Sequence, residues 1–146
     1  MTSNIYINRI AVYISLAVSF AACLIALMPW YSDYLVNRSL QQAELGFQIE
    51  ALHTAQSAGF YNPLSIQSLF VVAGAQQRVG HMVDARAALV RATELQPMNY
   101  QTWMQLAIYE SDRWDEPDKA REHFEKAISL NPQDKYLRKE AGLEEE

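Results

Sequence analysis

GHMVDARAALVRATELQP, residues 80–97, is the stretch on which the fold turns. Its Gly80, Ala85, Ala92 and Pro97 have counterparts upstream in Gly46, Ala51, Ala58 and Pro63, and downstream in Ala120, Ala127 and Pro132. The spacing Ala-x6-Ala-x4-Pro is kept in each copy; Ala51 to Ala85 is 34 residues and Ala85 to Ala120 is 35. Small residues fixed at such a period specify stacked helical hairpins, each burying one face against the next. Stacks of this kind present grooves to other proteins rather than active sites.

The middle copy carries the pattern most fully. Leu69, Val72 and Ala73 belong to a first helix, and Gly80 falls at its end, where a left-handed residue is wanted. Ala85, Leu89, Ala92 and Pro97 follow on a second. In the last copy Trp103, Leu106 and Ala107 precede Ala120, Phe124, Ala127 and Pro132, and an extra residue around Trp114-Asp115-Glu116-Pro117 lengthens the turn. The alanines mark where helices approach within about 8–10 Å; Leu89, Trp103 and Phe124 fill the space between hairpins. Each closing proline is placed to open the next helix without continuing the last.

The first copy has a clear second helix (Gly46, Ala51, Ala58, Pro63) and a weaker first one, Ser32 to Leu45. Without a Gly/Ser/Pro-rich linker between Trp30 and Gly46, that segment is expected to continue the preceding helix and join the stack rigidly. Asp134 to Leu143 reads as a capping helix with a charged face of Lys135, Arg138, Lys139 and Glu140. Glu144 to Glu146 reads as a frayed acidic tail.

From Ile10 to Tyr31 no charged residue occurs: IAVYISLAVSFAACLIALMPWY. Roughly 20 apolar residues in a helix cross the ~30 Å hydrocarbon layer. Tyr6 and Tyr13 at one end, and Trp30, Tyr31 and Tyr34 at the other, suit the headgroup boundaries, and Pro29 lies near the exit. A cleaved signal would be shorter and followed by polar sequence, whereas LIALMPWY runs straight on. Acylation of Cys23 after Phe20-Ala21-Ala22 would need Phe at the head of the cleavage motif and leave a strongly apolar start. A lone cysteine in a lipid-facing helix is the preferred reading. Arg9 and the terminal amine flank the start, while Asp33 and Arg38 cancel beyond the end, so charge bias places the N-terminus in the cytoplasm and the repeats outside.

The expected architecture is therefore all-α. A segment 1–31 holds one transmembrane helix, a solenoid of about three hairpins with a capping helix follows over 32–143, and a tail covers 144–146. The 146 residues carry a net charge of −5, concentrated after residue 32, which disfavours nucleic acid as a partner. The single cysteine, Cys23, excludes an intramolecular disulfide. At this size the repeats taken alone are expected to be marginally stable.

Over about residues 44 to 143 the chain resembles the tetratricopeptide repeat family. The order of apolar span, Met28-Pro29-Trp30-Tyr31, Asn62-Pro63-Leu64-Ser65 and Leu95-Gln96-Pro97-Met98-Asn99-Tyr100 resembles, more narrowly, the C-terminal part of bacterial O-antigen-ligase-like membrane proteins. Those carry a last transmembrane helix followed by such repeats on the extracytoplasmic side. The resemblance implies an envelope location, and a stand-alone relative of that tail or a small subunit of the same build. It does not imply ligase activity, because the multi-span catalytic portion is not in this sequence.

No catalytic, metal or cofactor motif stands out. His53, His81 and His123 are scattered one per repeat without a ligand partner at helical spacing. Glu122, His123 and Glu125 read as a solvated helix face, and Asp115/Lys119, Arg121/Glu125 and Glu122/Lys126 as surface pairs. Cys23 has no base near it in sequence, and no phosphate loop or Gly-x-Ser-x-Gly occurs. What remains is the inner surface of the stack: Gln67, Phe70, Gly74, Gln77 and Arg78, then Gln101, Met104, Ile108, Ser111 and Asp112. Relatives that grip an acidic peptide C-terminus use Lys, Arg and Asn there, and here Arg78 alone offers such a cation. Phe70, Met104 and Ile108 point either to an apolar partner segment or to packing against the preceding Ser32–Leu45 helix or the capping helix. Phe60, Tyr61, Tyr109 and Trp114 point to the bilayer surface or a large membrane partner.

The expected function is a membrane-anchored scaffold that binds or stabilises a larger membrane complex without catalysis. Its lipid contact is through residues 10–31, and it uses neither metal nor cofactor. The alternative is an accessory or regulatory component of an envelope polysaccharide system.

Overall fold

A computed structural model describes residues 2–113 and 117–140, with side chains from Val12 onward except Arg113, Tyr136 and Glu140. Seven helices occur among them, and no strand: α1 (Thr2–Glu44), α2 (Gln48–Tyr61), α3 (Ile66–Arg78), α4 (Met82–Leu95), α5 (Tyr100–Arg113), α6 (Pro117–Leu130) and α7 (Lys135–Glu140). The C-terminal part of α1 pairs with α2, α3 with α4, and α5 with α6, while α7 closes the stack against α6.

α1 is one helix of 43 residues that passes through Pro29, about 65 Å long at 1.5 Å per residue. Its two halves differ in what they touch. From Val12 to Tyr31 the side chains are exposed; from Ser32 the helix turns Ser32, Leu35, Val36, Ser39 and Ala43 into the stack. The apolar half is long and apolar enough to cross a membrane, and none of it is buried by the rest of the chain. It is therefore not the core helix of this solenoid. The expected continuation of the apolar helix into the first hairpin is what the structure contains.

Turn chemistry explains the helix ends. Gly46 and Gly80 have φ of 88° and 85°. The Phe47 N–H donates to the Gln42 carbonyl, and the His81 N–H to that of Gln76, so both first helices close with a left-handed glycine motif. The prolines act differently from the expectation. Pro63, Pro97 and Pro132 each follow the first residue of a β-turn, closed by Ser65 N–H to Asn62 O, Asn99 N–H to Gln96 O, and Asp134 N–H to Asn131 O. The next helix starts three residues later, behind a capping side chain. Ser65 accepts from Ser68 N–H, Asn99 from Gln101 N–H, and Asp134 from Leu137 N–H. Proline sets the turn, and a Ser, Asn or Asp two residues on starts the helix. The lengthened turn at residues 114–116 lies outside the described residues.

Three apolar clusters run along the stack. The first joins Leu35 and Val36 of α1 to Leu52, Ala55 and Ala58 of α2 and Val71 and Ala75 of α3. The second packs Ala73, Ala85, Ala88 and Leu89 against Leu106 and Tyr109. The third packs Ala107, Phe124 and Ala127 under Leu137 of the capping helix. Ala51, Ala58, Ala85, Ala92 and Ala127 are fully buried, as close helix approach requires. Trp103 sits half-buried at the rim of the third cluster, its indole N–H donating to the Pro97 carbonyl at 2.8 Å. Tyr109 is not at the surface as expected: it is buried in the second cluster, and its hydroxyl donates to the Met82 carbonyl at 2.8 Å. Trp114 lies outside the described residues.

Candidate functional site

The first helices of the three hairpins lie side by side, so residues at equal positions in the repeat share one face. Two adjoining hollows occupy it. The larger, about 370 Å³, is lined by Ser39, Leu40 and Ala43 of α1, by Gln67, Phe70, Val71, Gly74, Ala75 and Arg78 of α3, and by Gln101, Met104 and Gln105 of α5. The smaller, about 120 Å³, lies between α3 and α5 and includes Phe70, Gln77, Leu89, Ile108 and Asp112. Gln67, Phe70, Arg78, Gln101 and Met104 thus meet in one hollow, and Gln77 and Ile108 in the next, with Phe70 shared between them.

Packing within the chain accounts for part of the apolar surface, including the third cluster that holds Leu137 of the capping helix. Phe70 leans on the second cluster, and Met104 and Ile108 on the third, yet each keeps part of its surface on the groove. Gly74 leaves its floor open, since a Cβ built there would meet nothing within 4 Å. Arg78, Gln67 and Gln101 are exposed at the rim. Sequence reasoning missed Ser39, Leu40 and Ala43 of α1, Val71 and Ala75 of α3 and Gln105 of α5 in the lining of the larger hollow; for Leu40 and Ala43 a signal existed. The signal was in the period: 34 residues before Gly74 is Leu40, and 34 before Gln77 is Ala43.

A second polar assembly sits behind the groove. Glu110 of α5 is 0% exposed. Its Oε1 accepts from Arg86 Nε of α4 at 3.0 Å, and its Oε2 lies 2.7 Å from His123 Nδ1 of α6. Trp103 lies 5.6 Å from the His123 ring. His123 therefore does not lie on a solvated face with Glu122 and Glu125, as expected; those two are exposed, while His123 turns inward. With both carboxylate oxygens engaged, the assembly ties three helices across a hairpin boundary. Among the described residues no group of three or more His, Cys, Asp or Glu is arranged to hold a metal ion.

No protein-family profile matches the chain, and no curated protein matches it in sequence. Solved structures do. The first TPR domain of human RPAP3, determined by NMR, matches at a TM-score of 0.68 and 15% identity, over 78% of this chain and 89% of that one. The Sgt2 TPR domain from Aspergillus fumigatus matches at 0.65 and 22% identity, over 77% and 74%. This is the tetratricopeptide-repeat fold. The Yersinia enterocolitica type III secretion translocator chaperone SycD shares it at a TM-score of 0.64 and 12% identity, over 76% and 82%. In tetratricopeptide terms, α1 from Ser32, α3 and α5 are the first helices of three repeats, and α2, α4 and α6 are the second.

Proposed function

We propose that this chain is a single-span membrane protein whose tetratricopeptide groove holds an apolar segment of a larger membrane protein or complex, without catalysis of its own. The observation that carries the reading is the continuity of α1. One helix bears the exposed apolar run and, about 14 Å beyond Tyr31 by helical rise, the groove residue Leu40. A groove built this way stands at a fixed height above the bilayer, suited to a partner anchored in the same membrane. In this reading the N-terminus is cytoplasmic and the repeats lie outside, the orientation that the charge bias of Arg9 favours.

The first TPR of Spaghetti (RPAP3), another structure of this fold, is solved bound to the HSP90 peptide SRMEEVD. Among the described residues, Arg78 is the cation that lines the larger hollow here, beside Leu40, Phe70 and Met104. An apolar occupant fits this lining better than an acidic one. Mild-detergent purification of the full chain beside a Phe70→Asp/Met104→Asp variant, checked to remain helical, tests the proposal. A membrane protein retained by the first and lost by the second supports it; one retained equally by both places the interface elsewhere.

The alternative, an accessory role in an envelope polysaccharide system, draws its support from the amides of Gln67, Gln77, Gln101 and Gln105 along the same hollows. Binding of an oligosaccharide that disappears in Gln67→Ala/Gln101→Ala, with no protein partner, would favour it.

A further inference from the structure

We propose that the α2–α3 turn is a second membrane contact, seating Phe60 and Leu64 in the headgroup boundary beside the point where α1 leaves the bilayer. The inference rests on the membrane reading of α1 and adds the orientation of the solenoid to it.

The packing of α2 sets the level of the turn. α2 runs antiparallel to the end of α1: Ser39 Oγ reaches the Ala51 carbonyl at 2.7 Å, and Ser32 Oγ reaches that of Ala58 at 2.9 Å. Following α2 towards its C-terminus therefore means descending towards the apolar half of α1. There Tyr61 meets Tyr31 edge-on, with ring centroids 4.8 Å apart, and Phe60 meets Tyr61 at 5.5 Å. Tyr31 also stacks on Tyr34 at 6.0 Å. Aromatic rings with polar tips favour the headgroup level, and this cluster joins both helices at that level.

Two large apolar side chains stand uncovered around it, Phe60 at 80% and Leu64 at 70% exposure. Trp30 is exposed on the neighbouring helix. The segment that carries Phe60 and Leu64 has no formal charge of its own. From Ala51 to Gln77 the sequence contains no Asp, Glu, Lys or Arg. Asp33, the nearest acidic residue on α1, lies beyond Tyr31 on the side away from the apolar run. By contrast, α6 carries Asp118, Lys119, Arg121, Glu122, Glu125 and Lys126 within 14 residues. The occupant is lipid because ring contacts from Tyr31 through Tyr61 to Phe60 join the turn directly to the exposed apolar half of α1. A span and a turn held in the same boundary stop the stack from swivelling about α1, and so fix the direction in which the groove opens.

Site-directed spin labelling of the full chain in phosphatidylcholine/phosphatidylglycerol vesicles tests this, using single cysteines in a Cys23→Ser background. Collision with oxygen, enriched in lipid, is compared with collision with a water-soluble nickel chelate at Leu64→Cys, Val18→Cys and Val83→Cys. The proposal expects Leu64 to share the oxygen-favoured response of Val18, and Val83, exposed at the opposite end of its hairpin, to favour the chelate. A Leu64 label as chelate-accessible as the Val83 label, with Val18 in lipid, overturns the docking and leaves the span standing. A Val18 label in water overturns both.

Discussion

Ser39 donates its hydroxyl to the carbonyl of Ala51 across 2.7 Å, from a helix that began in the apolar run to the second helix of the first repeat. Seven residues earlier Ser32 makes the same contact with Ala58, and its oxygen lies 3.3 Å from that of Ser68. Both serines are buried, and Ala51 and Ala58 are fully so. Small hydroxyl residues on α1 thus face small residues on α2, and the helices close over them. Ser39→Leu should overpack this seam and cost about 1–3 kcal/mol, whereas Ser39→Ala should cost about 0.5–1.5 kcal/mol. Denaturant titration of the detergent-solubilised chain checks both. A Ser39→Leu protein as stable as the wild type would mean that the seam is looser than described.

The first cluster depends on α1 for Leu35 and Val36. Each such side chain contributes about 1.5–3 kcal/mol when buried. A fragment of residues 32–146 should therefore melt cooperatively, and one of residues 46–146 should melt at lower temperature or lose its sharp transition. Circular dichroism melts of the two fragments decide the point. Equal melting temperatures would show that the C-terminal part of α1 is not a structural member of the stack.

Ala92 and Ala127 are fully buried where paired helices meet. Ala92→Leu and Ala127→Leu should each cost about 1–3 kcal/mol through overpacking. Val83→Leu, at an exposed position, should stay within about 0.5 kcal/mol. The contrast is read from denaturation midpoints. A loss at Val83 as large as at Ala92 would undo the argument from alanine spacing.

Removing the Glu110 carboxylate leaves Arg86 and His123 without their shared acceptor. Glu110→Ala should destabilise the chain by about 2–3 kcal/mol, and His123→Ala by less, because Arg86 keeps its contact with Glu110. Thermal melts of the two variants rank them. The reverse order would assign the stabilisation to His123 packing on Trp103 instead.

The repeat itself was legible because Ala-x6-Ala-x4-Pro reports helix approach directly: Ala51, Ala85 and Ala127 are all fully buried. The groove was legible for the same reason, since positions between the packing residues share a face once the period is known. Leu40 and Ala43 escaped because α1 lacks the large-and-small signature of the later first helices. Its contacts are made by Ser32 and Ser39 beside Leu35 and Val36, and serines read as polar surface in a linear sequence. His123 escaped for a different reason. Glu110 lies 13 residues before it and Arg86 a further 24 before that, so no local spacing links the three. The same period does place Glu110 in register with Gln76 and Gln42, both half-buried, which marks a recurring polar position on the first helices, outside the lining of the groove. The prolines were misplaced because Asn-Pro and Gln-Pro fit either a turn or a helix start; Ser65, Asn99 and Asp134 decide for the turn.

The central claim is that the concave face, held over the membrane by α1, is where the partner sits. A photo-crosslinking side chain at Gln101, on the groove, and another at Glu94, exposed on α4, test it in native membranes, with Gly74→Leu as the blocking variant. Leucine already stands at the equivalent Leu40, and a Cβ at Gly74 meets nothing within 4 Å, so this variant fills the hollow without straining α3. The account predicts one discrete membrane-protein adduct from Gln101, absent from Glu94 and lost with Gly74→Leu. The same adduct from both positions, or one that persists with the hollow filled, would contradict it.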